Sequence, residues 1–278
     1  MKIDTHQHFW KLDRGDYDWL TPDLAPLYRD FLPADLEPLL RENEVVGTIL
    51  VQAAATVAET EFMLSLADRH DWILGVVGWV DFDSPKAPAT IARLCKHPKL
   101  VGLRPMIQDI PDDDWMLRDT LRPAINAMIT HDLTFDALVM PRHLRSFDLF
   151  LTRYPDLRAV VNHGAKPEIR NDGFEPWATD LRTIAGHNNV FCKISGLATE
   201  AGASAKPGDL SRYIAHIADV FHPSRMLFGS DWPVMTLATG YTDWVSLISE
   251  LQNGPLLESP LCVMADNTKS AYPRLTQR

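Results

Sequence analysis

Short runs of β-branched and apolar residues recur along the chain, at 2–5, 48–52, 73–80, 100–104, 133–136, 158–162, 190–194 and 226–229. Each has the length and composition of a strand buried on both faces. Amphipathic stretches lie between them, at 59–70, 117–131, 142–153, 176–185 and 210–221. In the first, Phe62, Leu64, Leu66 and Ala67 alternate with Glu61, Asp68 and Arg69 at the three-to-four residue spacing of a helix lying on a core. Strand–helix alternation predicts a parallel sheet joined by right-handed crossovers. Eight candidate strands predict a closed (β/α)8 TIM barrel. A doubly wound open sheet is the alternative, but no GxGxxG or phosphate-binding loop follows an early strand. No low-complexity linker interrupts residues 1–278, so one domain is expected.

Composition narrows the setting. The chain has 278 residues, 46% of them hydrophobic, enough for one large core. The formal net charge of −10 argues against nucleic acid and anionic membranes as partners. Cys95, Cys192 and Cys262 are odd in number and far apart, so neither a disulfide framework nor a CxxC zinc site is indicated. With no apolar leader before the first strand, a reducing cytoplasm is the expected compartment.

A barrel demands that its functional polar residues sit at the C-terminal ends of strands. His6 and His8 follow the first strand, Gln52 ends the second and Arg104 the fourth. Asp136 ends the fifth, His163 follows the sixth, Lys193 closes the seventh and Asp231 follows the eighth. His6 and His8 are two apart, which on a strand puts both imidazoles on one side. Such a pair suits a divalent metal or proton transfer near neutral pH, and equally arises by chance. Ionisable groups at apolar strand ends are costly to bury without partners. So many at one mouth point to a site. His70, His97, His131, His187, His216 and His222 fall in helices or loops and read as surface residues; Met63, Met116, Met128 and Met264 read as packing.

Nine segments in order carry a resemblance: IDTHQHFW (3–10), GTILVQAA (47–54), GVVGWVDF (75–82), LVGLRPMIQDIPD (100–112), LTFDALVMPRHL (133–144), VVNHGAKP (160–167), VFCKISGL (190–197), RMLFGSDWPV (225–234) and DNTKSAYPRL (266–275). Together they resemble the amidohydrolase superfamily, in particular its sugar-lactonase branch of L-fuconolactonase- and L-rhamnonolactonase-like proteins. The resemblance implies a (β/α)8 hydrolase that opens a sugar lactone. It places His6 and His8 at the family's strand-1 pair, His163 at its strand-6 histidine and Asp231 at its strand-8 aspartate. The chain departs from metal-dependent members at Arg104 and Asp136, where lysine or glutamate and histidine are common. A bridging carboxylate is thus missing, and a binuclear site is not expected. His6, His8 and Asp231 remain as ligands for one divalent metal such as zinc, with a metal-free mechanism as the alternative. Asn162 stands where many relatives of the branch have aspartate, which raises the question of how His163 is oriented.

Lactone opening needs a base for water, donors for the oxyanion and a proton for the leaving ring oxygen. Asp231 is the candidate base, with a helix cap as its structural alternative. Arg104, Lys193 and His163 are candidate oxyanion donors. The alternatives are a barrel ion pair between Arg104 and Asp136 or Asp109, and a Lys193 that snorkels to the surface. Gln52, Trp10 and Trp232 are candidate substrate contacts, with Trp19 and Trp79 as further aromatic candidates. Lys166, Pro167 and Trp177 follow strand 6, where a loop would close over substrate. Competing readings are a zinc-dependent decarboxylase, a pyrone-dicarboxylate hydrolase, a lyase using Lys193 as Schiff base and a non-catalytic sugar-binding barrel.

Overall fold

The computed structural model describes residues 2–202, 207–253 and 266–276. Lys2–Gln7 (β1), Val45–Val51 (β2), Ile73–Gly78 (β3), Leu100–Leu103 (β4), Thr134–Ala137 (β5), Ala159–Val161 (β6), Val190–Ile194 (β7) and Met226–Phe228 (β8) form one parallel sheet in sequential order. Every predicted strand is present. The ends β1 and β8 meet across a seam. Thr5 Oγ1 donates to the Phe228 carbonyl at 2.7 Å, and Gln7 bridges Trp232 in parallel. Just above, the His8 amide donates to Trp232 O and the Asp231 amide to His6 O, each at 2.8 Å. The seam therefore brings the two ends of the chain's chemistry into contact.

The helices follow the amphipathic stretches, trimmed by proline. The stretch 117–131 starts as two single turns and becomes helical only over Arg122–Thr130. Pro123 has no amide hydrogen to donate, so it fits only the first turn of a helix. Likewise Pro141–His143 is a 3₁₀ turn before the helix Leu144–Arg153. The helices Pro33–Glu42, Ala87–Leu94 and Tyr241–Asn253 have no counterpart among the predicted stretches; in the first, Pro33 and Pro38 mask the pattern. No helix among the described residues is long and apolar enough to cross a membrane.

Two apolar layers position the site. The larger lies between strands and helices and includes Leu50, Leu103, Phe135, Val161, Cys192 and Phe228. The smaller is made of residues that alternate with these, among them Ile49, Val51, Val160, Phe191 and Leu227, together with Ala271 and Tyr272. The C-terminal segment closes the N-terminal end of the barrel. Thr134 Oγ1 donates to Ala271 O at 2.6 Å, and Arg274 donates to Leu100 O at 2.7 Å and Cys95 O at 2.9 Å. Met63, Met116 and Met128 are buried in the core; Met264 and Cys262 lie outside the described residues.

Candidate active site

The seam places Asp231 against three imidazoles. Its Oδ1 is 3.2 Å from His8 Nε2, 3.6 Å from His6 Nε2 and 3.8 Å from His163 Nε2. All four residues are buried or nearly so. The Asp231 side chain thus faces the histidines and not the amides of a following helix, which excludes the capping role. Its backbone turns out of β8 at φ +63. Two glycines make room. A Cβ on Gly229 would lie 2.7 Å from His6 Cβ, and one on Gly196, at φ +65, would lie 2.5 Å from His163 Nδ1.

Hydrogen bonds set the tautomers. His8 Nδ1 is 2.7 Å from the Val51 carbonyl, which only accepts, so that nitrogen carries the proton. Nε2 of His8 is then a bare lone pair facing a carboxylate oxygen. Arg104 Nη1 donates to His6 Nε2 at 3.2 Å, which makes that nitrogen a lone pair as well. Unprotonated nitrogens turned toward a carboxylate are a donor set for a cation, and imidazole with carboxylate suits zinc. His6, His163 and Asp231 offer ligand atoms within 4.8 Å of one another. His163 thus joins His6 and Asp231 as a candidate ligand, and His8 Nε2 also faces Asp231 at 3.2 Å. His163 is oriented by Ser195, whose Oγ lies 2.9 Å from Nδ1, and not by Asn162.

His163 begins an unusual turn. His163, Gly164, Ala165 and Lys166 have φ of 55, 57, 64 and 52, and the Lys166 amide closes the turn on His163 O at 2.8 Å. Left-handed backbone is costly for residues with a Cβ.

A layer of charge lies under the histidines. Lys193 is 0% exposed; it is neither a surface lysine nor on the cavity wall. Its Nζ is 2.5 Å from Asp136 Oδ1 and 3.4 Å from His6 Nδ1. Asp136 also accepts from Asn162 Nδ2 at 2.9 Å and from Tyr272 OH at 2.9 Å. Asn162 is thereby explained: an aspartate there would put a second carboxylate against Asp136, whereas the amide donates to it. Arg104 forms no ion pair with Asp136 or Asp109 in the structure. It donates to the Gln52 carbonyl and to Gln52 Oε1, and its Nε is buried with no hydrogen-bond partner among the described residues. Gln52 holds Arg104 from behind.

Burial dominates the electrostatics. It pushes His6 well below its ordinary 6.5, with Lys193 and His163 adding to the effect. It lowers His8 and takes His163 down to about 3, so the imidazoles are neutral. Burial also lowers Lys193, against the pull of Asp136, and brings Arg104 to about 10. For Asp231 burial alone would raise the carboxyl. The facing His163 and His8 rings and the Lys166 ammonium outweigh it and hold the group below its ordinary 3.8. An ionised carboxylate among neutral imidazoles is a base at neutral pH.

A cavity of about 260 Å³ opens above this group, sized for a small ring. His8, Arg104, His163 and Asp231 form its polar wall; Met106, Leu138 and Val234 form part of its apolar wall. Trp10 and Trp232 are behind the wall. Trp10 is fully buried and bonds Arg29 O at 2.8 Å, and Trp232 packs edge-on against Phe9 and Phe31. Trp19, 37% exposed, lines the cavity in their place and donates to Ala53 O at 2.8 Å. Lys166 lines the cavity, while Trp177 is a core residue whose indole donates to Gly164 O at 2.7 Å. Ser195, Tyr272 and Met106 escape a sequence reading confined to ionisable strand ends. Ser195 had one available signal, its place two residues beyond Lys193.

Trp19 sits on the segment between β1 and the helix Pro33–Glu42, and a buried carboxyl latches that segment. Glu59 accepts from Tyr17 OH at 2.8 Å and from the Ala53 amide at 3.2 Å, with Arg14 at 3.4 Å. Burial raises Glu59 from 4.5 to about 7, against the Tyr17 hydrogen bond. A carboxyl raised on folding stabilises fully below 4.5, and that contribution is lost as pH rises through 7. Urea unfolding of wild type and Glu59→Gln should therefore converge or cross between those limits, the difference changing by about 3 kcal/mol. Parallel pH profiles would refute the latch's titration.

Comparison with known proteins matches this architecture. The amidohydrolase family model matches residues 3–273, and the chain belongs to that family. It is 47% identical over 243 residues to an L-fucono-1,5-lactonase of Burkholderia ambifaria, covering 87% of this chain and 84% of that one. An L-fucono-1,5-lactonase of Burkholderia multivorans is 35% identical over 260 residues, covering 89% and 87%. The crystal structure of an amidohydrolase from Burkholderia multivorans with bound zinc has a TM-score of 0.92 at 31% identity, covering 98% of this chain and 99% of that one.

Proposed function

We propose that this protein hydrolyses a monosaccharide-derived lactone, L-fucono-1,5-lactone or a close stereo-relative, to the sugar acid. The observation that carries the reading is the ionised Asp231 among neutral imidazoles at the wall of a cavity sized for a small ring. Its likeness to the Burkholderia lactonases supports the same reaction.

Asp231 takes a proton from water as the oxygen attacks the carbonyl carbon. Arg104, on the cavity wall and with one Nη1 proton beyond its bond to His6, stabilises the oxyanion. His8, fixed by Val51, and His163, fixed by Ser195, hold the water beside Asp231. As the carbon–oxygen ring bond breaks, Asp231 returns its proton to the leaving oxygen. Lys193 serves from below as a positioning residue for His6. A zinc ion held by His6, His163 and Asp231 would supply Lewis acidity at the carbonyl and a lower pKa for water.

A pH-indicator assay over a panel of aldonolactones, before and after chelation and with metal content measured on the same sample, tests both parts. Turnover of a six-membered sugar lactone is expected, and chelation should remove metal and at least tenfold of the rate. No turnover on any lactone would sink the reaction. Undiminished turnover in metal-free protein would sink the metal's role and leave Asp231 and Arg104 as the catalytic pair.

A further inference from the structure

The left-handed turn after β6 carries more than His163. It has three residues per turn, so residues three apart share a face. His163 and Lys166 are three apart, and both line the cavity. Three of the four residues in the turn have a Cβ, which this conformation disfavours. Strain of this kind persists where the surroundings over-determine it, and it gathers at ligand sites. Here its product is a lysine delivered beside the reacting group.

The lysine is also held. Lys166 Nζ donates to Gln108 Oε1 at 2.9 Å, from the loop after β4, and lies 3.6 Å from Glu200 Oε1 on the helix Leu197–Ala201. An ammonium has three protons. Gln108 accepts one of them and Glu200 stands at ion-pair distance, which leaves a proton for a ligand in the cavity that Lys166 lines. Gln108 and Asp109 line the same cavity, so a donor stands next to acceptors. A hydroxyl group both donates and accepts, and this is the pairing that reads it. An unsubstituted ring has nothing to offer these groups.

We propose that Lys166 is a specificity-determining residue that binds the ring hydroxyls of the lactone, with Gln108 and Glu200 holding its ammonium in place. The inference rests on the lactonase reading and adds that the enzyme selects polyhydroxylated over plain lactones. Asp231 and Arg104 act on the ester group, which both kinds of lactone share. Lys166 acts on what only one kind has.

The test compares Lys166→Met with wild type on L-fucono-1,5-lactone and on δ-valerolactone, a six-membered lactone without hydroxyls. A hydrogen bond to a charged group is worth roughly ten- to a hundredfold. The variant should lose at least tenfold more in kcat/KM on the sugar lactone, mostly through KM, than on δ-valerolactone, where Lys166 acts only through the charge it presents to Asp231. Lys166→Gln, which keeps an uncharged donor, should fall between the two; it carries the same comparison should the methionine variant fail to fold. Equal losses on both lactones, or none on either, would overturn the role of Lys166 while leaving the lactonase reading intact. Wild-type protein inert on both would overturn the lactonase reading and this inference with it.

Discussion

Asp231→Asn should lower kcat by roughly 10³- to 10⁴-fold while affinity for the sugar-acid product changes by less than tenfold. The size follows from the double duty of the carboxylate. General base and general acid catalysis by one positioned group is worth up to about 10⁴-fold, and of the two carboxylates lining the cavity, Asp109 is exposed while Asp231 is the one set against the imidazoles. His6, His8 and His163 are neutral, but one nitrogen of each is engaged by Lys193, Val51 or Ser195. Asparagine keeps the volume and an oxygen acceptor, so the cavity should persist. Steady-state rates together with calorimetric titration of the product separate the two quantities. A variant within tenfold of wild type would remove Asp231 from the proton-transfer role.

The second large effect concerns stability. Asp136→Leu should destabilise the fold by about 3–5 kcal/mol, because it leaves Lys193 buried without its partner. It also removes the acceptor for Asn162 and Tyr272. At roughly 2–4 °C per kcal/mol for a chain of this size, the midpoint should fall by about 6–20 °C. The double variant Asp136→Leu, Lys193→Met should recover most of that stability, since an apolar pair of similar volume can replace a buried ion pair. Its activity should stay low, because His6 has then lost the Lys193 contact at Nδ1. Thermal unfolding of the three proteins measures this directly. A single variant that loses less than about 1 kcal/mol would show that the ion pair is not what holds this layer.

Much of the fold was legible because barrel strands are buried on both faces and advertise themselves as apolar runs. All eight strands were found that way, and the alternation with amphipathic stretches defined their order. Helix starts were less legible, since Pro123 sits inside the 117–131 pattern and fixes where the helix begins without changing that pattern. The polar strand ends were readable as a set, but their depth was not. Lys193 and Arg104 are both cations at the C-terminal ends of strands, yet one lies beneath the histidines and the other on the cavity wall. Trp10 and Trp19 have the same chemistry and were both candidates, yet only Trp19 lines the cavity, because the segment that carries them folds back over the β1 end.

The order of apolar and polar residues alone determined a parallel barrel with its ionisable groups gathered at one mouth, for burial on both faces leaves strand ends as the only place for them. Which imidazole nitrogen is bare, that His163 joins the candidate ligands, and that Lys166 shares the cavity were decided only by tertiary structure. These depend on the seam between β1 and β8, on a carbonyl at Val51 and on a left-handed turn. Each is a contact or backbone angle set by parts of the chain far apart in sequence, and no local pattern encodes them.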